Sequence, residues 1–283
     1  MKTNNLNIII LSAIVAFIIS SCRVERDIAR EFVQKENNIS ILLLKDTFLF
    51  KSNDKIKRIP GFDAMDVNVQ DSLWIANTQY LDSVDDNKLL NILYNKIKSE
   101  LEFYEFKVYT SETKTSFDLL TSEAYTFKIS QVELEEDKYT YRNEFKFPND
   151  TTVYYKDHDL NVVDLNCWFD FIPKDTNFDN KRVFYNSFSI DDKLDGQFYK
   201  NDSNKVKYKF NIVPIKLNDI YNLTLHSGVK NANFLFNYFM NKYIRDEMPK
   251  GFNAQGYYSL DRDTGYILYD NEENNENSFY EIQ

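Results

Sequence analysis

The chain has 283 residues, with 44 acidic against 34 basic side chains and a net charge of −10. That balance argues against nucleic acid as a partner and against broad adhesion to anionic lipid, since both need clustered Lys and Arg. Six glycines and five prolines exclude a glycine-rich loop fold or a proline-rich stalk, and two cysteines exclude a disulfide scaffold.

Lys2 is the only charge before Arg23, and IIILSAIVAFII from Ile8 to Ile19 is apolar apart from Ser12. This run is shorter than the roughly 20 residues that a spanning helix requires, and it has the length of a signal-peptide core. Ser20, Ser21 and Cys22 follow it. Ile19-Ser20-Ser21-Cys22 resembles the lipobox of bacterial lipoproteins. The resemblance implies that residues 1–21 are a removed signal peptide, that Cys22 is acylated, and that the mature protein sits on a bilayer. Each buried methylene contributes about 0.8 kcal/mol to such an anchor. The mature chain of 262 residues keeps 33 basic and 44 acidic side chains, a charge of −11.

Residues 22–38 are polar and mixed in charge, with Ile28, Phe32 and Val33 at helical spacing, and read as a partly helical tether carrying the lipidated Cys22. The globular domain is expected over 39–270. ISILLLKDTFLF from Ile39 to Phe50 predicts one well-buried first strand, ended by a KSNDKIK turn. Leu89, Leu90, Leu93, Ile97 and Leu101 predict an amphipathic helix over Asp85–Tyr104, capped by its aspartates, and FKVYTSE predicts a short strand after it.

From Ala124 the period becomes two. Tyr125, Phe127 and Ile129 share one face while Val132 and Leu134 take the opposite parity, which predicts a bulge near Ser130-Gln131. Val163 to Phe171 and Val206 to Ile212 alternate apolar with polar residues, the latter against Lys205, Lys207, Lys209 and Asn211, as in antiparallel strands with one wet face. A second helix is predicted over Gly228–Met248, stopped by Pro249, followed by a hairpin GYYSL-DRDTG-YILY. Residues 271–283 read as an acidic flexible tail. The expected fold class is α+β, an antiparallel sheet with two main amphipathic helices on one face after an N-terminal lipid tether.

The order of a lipidated cysteine, the strand LLL-KD, the helix LLNILYNKIKSELEFYEFKVY, the strands YTFKISQVELEE and LNVVDLNCWFDF and the late helix FLFNYFMNKYI resembles uncharacterised envelope lipoproteins of Bacteroidota. It is also similar in outline to small α+β auxiliary lipoproteins of envelope transport and assembly systems. The expected role is thus a non-catalytic accessory or scaffold at the outer membrane, facing the periplasm and paired with another envelope protein. A surface-exposed binding module for glycan or protein is the second reading, and a hydrolase the third. No cofactor is expected.

Several constellations bear on these readings. Asp191, Asp195 and Asp202 recur with nearly the spacing of a calcium loop, with Gly196 at the turn position, but Lys193 stands where an oxygen ligand belongs and the flanks read as strands, so a solvated hairpin turn with no metal is the preferred reading. Trp168 stands opposite in parity to the apolar row around it; packing beneath a helix on that face is the commoner meaning, and on an open sheet face it could stack on a sugar or anchor a partner. Glu133 and Glu135 share a strand face as a carboxylate pair, with a solvated edge as the commoner meaning. Cys167 reads as a small buried apolar residue, His158 as part of a polar turn and His226 as preceding the late helix. Asp71-Ser72-Leu73, Asp82-Ser83-Val84 and Asp150-Thr151-Thr152 resemble O-glycosylation acceptors of Bacteroidota.

Overall fold

The computed structural model describes residues 24–45, 48–148, 150–174, 181–254, 256–270 and 277–282, so Cys22 and the expected signal peptide lie outside the described residues. Residues 24–34 form helix α1. Strand β1 (Ser40–Lys45) and strand β2 (Leu49–Asn53) are followed by a single turn, α2 (Asp54–Lys57), and by α3 (Val67–Asn77). Helix α4 (Asp86–Phe103) leads to β3 (Lys107–Tyr109) and α5 (Lys114–Asp118). Then come the long strands β4 (Ala124–Phe145) and β5 (Tyr154–Pro173), with β6 (Arg182–Asp191), β7 (Lys193–Lys200) and β8 (Val206–Val213). Helix α6 (Leu217–Glu247), the hairpin β9 (Tyr257–Leu260) and β10 (Ile267–Asp270), and β11 (Tyr280–Ile282) complete the order.

The fold is α+β. The main sheet runs β11-β6-β5-β4-β1-β3, with β2 also on β4. Antiparallel pairing dominates, and the register of β4 on β5 shifts between Ile129 and Gln131, where the parity change placed a bulge. One correction concerns the first strand: the expected single strand is two, and both run parallel to β4, as β1 does to β3. Local pattern specifies which face of a strand is buried, not its direction.

Helices α4 and α6 cover one face, and the core lies between them and Ile41, Leu43, Phe127, Val132, Leu165, Phe169 and Phe184. Asp85 caps α4 by accepting the Lys88 N–H at 2.9 Å, and the stripe Leu89, Leu93, Ile97, Leu101 is fully buried. Each such side chain contributes about 1.5–3 kcal/mol on leaving water. On the other face a small hydrophobic cluster forms from Leu42, Ala124 and Phe117 of α5.

Three further expectations are corrected. The stretch read as a tether is in part a docked helix, because Ala29 and Phe32 of α1 are buried and Phe32 packs 5.3 Å from Phe236 and 5.5 Å from Tyr243. Helix α6 begins eleven residues before Gly228, and His226 lies inside it. The end of the expected flexible tail is ordered into the domain: β11 pairs with β6, and Phe279 stacks on Phe184 at 4.9 Å.

Buried asparagines tie α6 to the β9 hairpin. Asn233 donates to the Leu260 carbonyl at 3.0 Å, Asn237 accepts the Leu260 N–H at 2.9 Å, and Asn241 bonds Tyr258. Tyr258 in turn donates its hydroxyl to the buried Glu25 of α1 at 2.9 Å.

Candidate functional site

Strand β4 loses its neighbour β2 after Glu136, and β5 first meets β6 at Val162. Beyond these points Asp137–Phe145 and Tyr154–Asn161 continue as a two-stranded ribbon, about 25 Å long at 3.3 Å per residue. The hairpin β7–β8 packs on one side of it, forming a projecting arm of two stacked ribbons. Alternation makes this possible. Asn143, His158 and Phe145 of the first ribbon face Gly196, Phe198 and Tyr208 of the second.

The seam of the arm is aromatic and polar together. Tyr208 rests 4.6 Å from Phe198, and its hydroxyl hydrogen-bonds His158 Nε2 at 3.1 Å and accepts from Asn143 at 3.1 Å. Asn143 also donates to the Gly196 carbonyl. A side chain at Gly196 has no room, since its Cβ would lie 1.9 Å from the Tyr208 hydroxyl. On the outer face of the first ribbon, Arg142 forks onto Asp157 at 2.7 and 3.0 Å and Thr140 donates to Asp159. Aromatic rings remain exposed along the arm, among them Tyr141, Tyr155 and Tyr199.

The arm is rooted in a buried polar network. Glu136, fully buried, accepts from the N–H groups of Gln79 and Tyr80 and from Lys55, all within 3.1 Å. Asp192 accepts from Asn161 and from the Ile215 N–H, and at 3.5 Å from the Tyr80 hydroxyl. Lys55 bridges the two halves through Asn161. Burial, with the Asp192 and Glu136 charges, pushes the Tyr80 phenol up to about 12. Burying a charge costs less where its oxygens are hydrogen-bonded, and these bonds tie the root of the arm to Lys55, Tyr80 and Ile215.

The residues singled out in the sequence fall in different places. Asp191 ends β6 and accepts from Tyr139 at 2.6 Å, Asp195 sits within β7 opposite Asn211, and Asp202 lies in the β7–β8 turn. Five steps of extended strand, about 16 Å, carry the chain from Asp195 to Lys200 before the turn that holds Asp202, so these weak calcium candidates lie apart on a hairpin. Among the described residues no group of three or more His, Cys, Asp or Glu could hold a metal ion.

Trp168 does stand on the sheet face away from α4 and α6, half-buried and 4.9 Å from Tyr185, whose hydroxyl donates to Asn166. Glu133 and Glu135 share this face. The hydrogen bond with Asp54 raises the Glu135 carboxyl above its ordinary range, burial adds to this, and Lys57 opposes it. Cys167 is fully buried near Ser227, and burial pushes its thiol up to about 12, which fits the small apolar reading. His158 is corrected from a turn to a buried strand position. His226 borders a groove of about 520 Å³ between the β6–β7 turn and the start of α6, with Lys193, Pro214 and Leu223. Desolvation, with the Lys230 charge, lowers the His226 pKa below its ordinary value. Ser72, Ser83 and Thr151 are all exposed, Ser72 on α3 rather than in a loop.

Sequence reasoning missed the network, because Lys55, Tyr80, Glu136 and Asp192 sit in four separate segments and each alone looks like an ordinary surface residue. Comparison of the sequence with protein-family models gives no match, and none is found among curated proteins. No described helix is long and apolar enough to cross a membrane.

Proposed function

We propose that the chain is a non-catalytic envelope lipoprotein, anchored through acylated Cys22, that serves an outer-membrane assembly or transport system by presenting its arm to a protein partner. The observation that carries this reading is the polarity of the molecule. Helix α6 is about 46 Å long at 1.5 Å per residue. α1 docks beside Phe236 and Tyr243 near one end of α6, while the arm leaves from the other end, where the Ile215 N–H meets Asp192. An anchor just before α1 therefore holds the arm away from the bilayer. Exposed tyrosines on a rigid ribbon are the residue type that anchors protein interfaces.

The test is a photo-reactive residue in place of Tyr155 or Tyr199 in living cells, with one in place of Ser99 on α4 as control. A defined envelope protein captured from the arm and not from Ser99 is the expected result; equal capture from both positions would sink the reading. Protease shaving of intact cells then separates a periplasmic from a surface location, the periplasmic one being expected.

A second reading rests on Trp168 and Tyr185. Their rings, with Asn166 and the Glu133 and Glu135 carboxylates around them, form a surface on which a sugar could stack and hydrogen-bond. A glycan array read with the native chain and with Trp168→Ala decides it, specific binding lost in the variant being the result in its favour.

A further inference from the structure

The two faces of the arm differ in how their charges are settled. On the outer face of the first ribbon each cation has an anion, Lys138 with Asp159 and Arg142 with Asp157. On the outer face of the second, Lys205, Lys207 and Lys209 are exposed and, among the described residues, make no ion pair, in a chain whose net charge is −10. They occupy alternate positions, so their ammonium groups line one face in a row spaced by about 6.6 Å. The inward row of the same strand is Val206, Tyr208, Phe210 and Ile212, of which Phe210 is still 51% exposed. β8 pairs with β7 alone, and its second edge carries no strand among the described residues.

A strand laid along that edge would meet lysines on one face and apolar side chains on the other. We infer that the free edge of β8 docks an extended acidic segment of a partner protein, with carboxylates at alternate positions beside Lys205, Lys207 and Lys209 and apolar residues between them beside Phe210 and Ile212. Main-chain hydrogen bonds would supply affinity and the alternating pairs would supply register. Anionic lipid is the poorer occupant, because the arm lies at the pole opposite α1. The inference rests on the reading of the arm as the docking element.

The probe is a labelled peptide alternating glutamate with valine, as long as the 8-residue β8, titrated with the detergent-solubilised full chain. Saturable binding that weakens as salt rises is expected, as is a loss of about tenfold or more in K205E/K207E/K209E. A lysine-valine peptide and a glutamate-valine peptide N-methylated along one edge should both fail to bind. Because the three lysines are exposed and unpaired, the charge-reversed chain should keep its native melting temperature, and the milder K205Q/K207Q/K209Q variant should lose binding in part. Absence of peptide binding, equal binding of the N-methylated peptide, or capture of phosphatidylglycerol vesicles through these lysines in place of the peptide would each overturn the inference. If crosslinks from Tyr155 or Tyr199 still form in cells while the peptide fails, the acidic strand is wrong and the arm reading stands.

Discussion

Asn241 pairs with the backbone of Tyr258 as a neighbouring strand would: its Nδ2 donates to the Tyr258 carbonyl at 2.6 Å and its Oδ1 accepts the Tyr258 N–H at 2.8 Å. The match extends one step along the helix because four helical residues rise about 6.0 Å and two strand residues about 6.6 Å: Asn237 accepts the Leu260 N–H, and Asn233, one turn further, donates to the Leu260 carbonyl. Three amides on α6 thus replace a missing strand. Asn241→Ala removes both of its hydrogen bonds to the buried Tyr258 backbone, at a cost of about 1 kcal/mol each. Amide exchange at Tyr258 and Leu260 should speed up well before that of α4; unchanged exchange there would show that the pairing contributes nothing.

Glu136 is the hub beneath the arm. Glu136→Leu removes the acceptor for two buried N–H groups and leaves the partly exposed Lys55 ammonium only Asn161, a loss of about 3 kcal/mol or more. Chemical denaturation should show a loss of that size, while Glu136→Gln, which keeps one acceptor oxygen, should lose less. A Leu variant as stable as the native chain would mean that the network is incidental.

Gly196→Ala forces the Tyr208 hydroxyl away from His158, an overpacking cost of about 1–3 kcal/mol. The His158 ring resonances in NMR should shift, and the β7–β8 ribbon should become more protease-sensitive while the body stays folded. Tyr208→Phe removes the two hydrogen bonds without the clash, at near 1 kcal/mol per bond and so about 2 kcal/mol in all.

Glu100 couples stability to pH. Burial alone would raise its carboxyl, but hydrogen bonds from Arg262 and Lys96 outweigh burial and hold it below the ordinary range. A carboxylate depressed in the folded state stabilises above its unfolded pKa, and that contribution is lost as pH falls through the folded one. The stability gap between the native chain and Glu100→Gln should therefore be constant from neutral pH to about 5, and should shrink below about 4.3, the ordinary glutamate value. A gap that widened on acidification would reverse the assignment.

Much of this fold was legible in the chain because burial writes itself as periodicity. The α4 stripe, the bulge after Ile129 and the alternation of Val163 to Phe171 follow from that alone. What stayed hidden depends on distant partners. Residues 217–227 of α6 bury Thr224 and Ser227 beside Ile220 and Leu223, a face too polar to mark a helix by hydrophobic spacing. His158 looks like a turn residue among Lys156, Asp157 and Asp159 until Tyr208, 50 positions on, supplies its bond. Phe279 sits in a run of asparagines and glutamates and gains meaning from Phe127, Phe169, Phe184 and Phe234. The Trp168 face could be read from parity, whereas the arm could not, because nothing local announces that β4 and β5 outrun their neighbours.

The hydroxyl of Tyr258 reaches back across 233 positions to Glu25. Helix α1 is thus held by the β9–β10 hairpin, and a chain emerging N-terminus first cannot complete this seat until Tyr258 has been made. Until then α1 remains an amphipathic segment without a berth, and the aromatic core lacks the ring of Phe279. A copy ended before Tyr258 would lack that bond, and its α1 should be open to proteolysis.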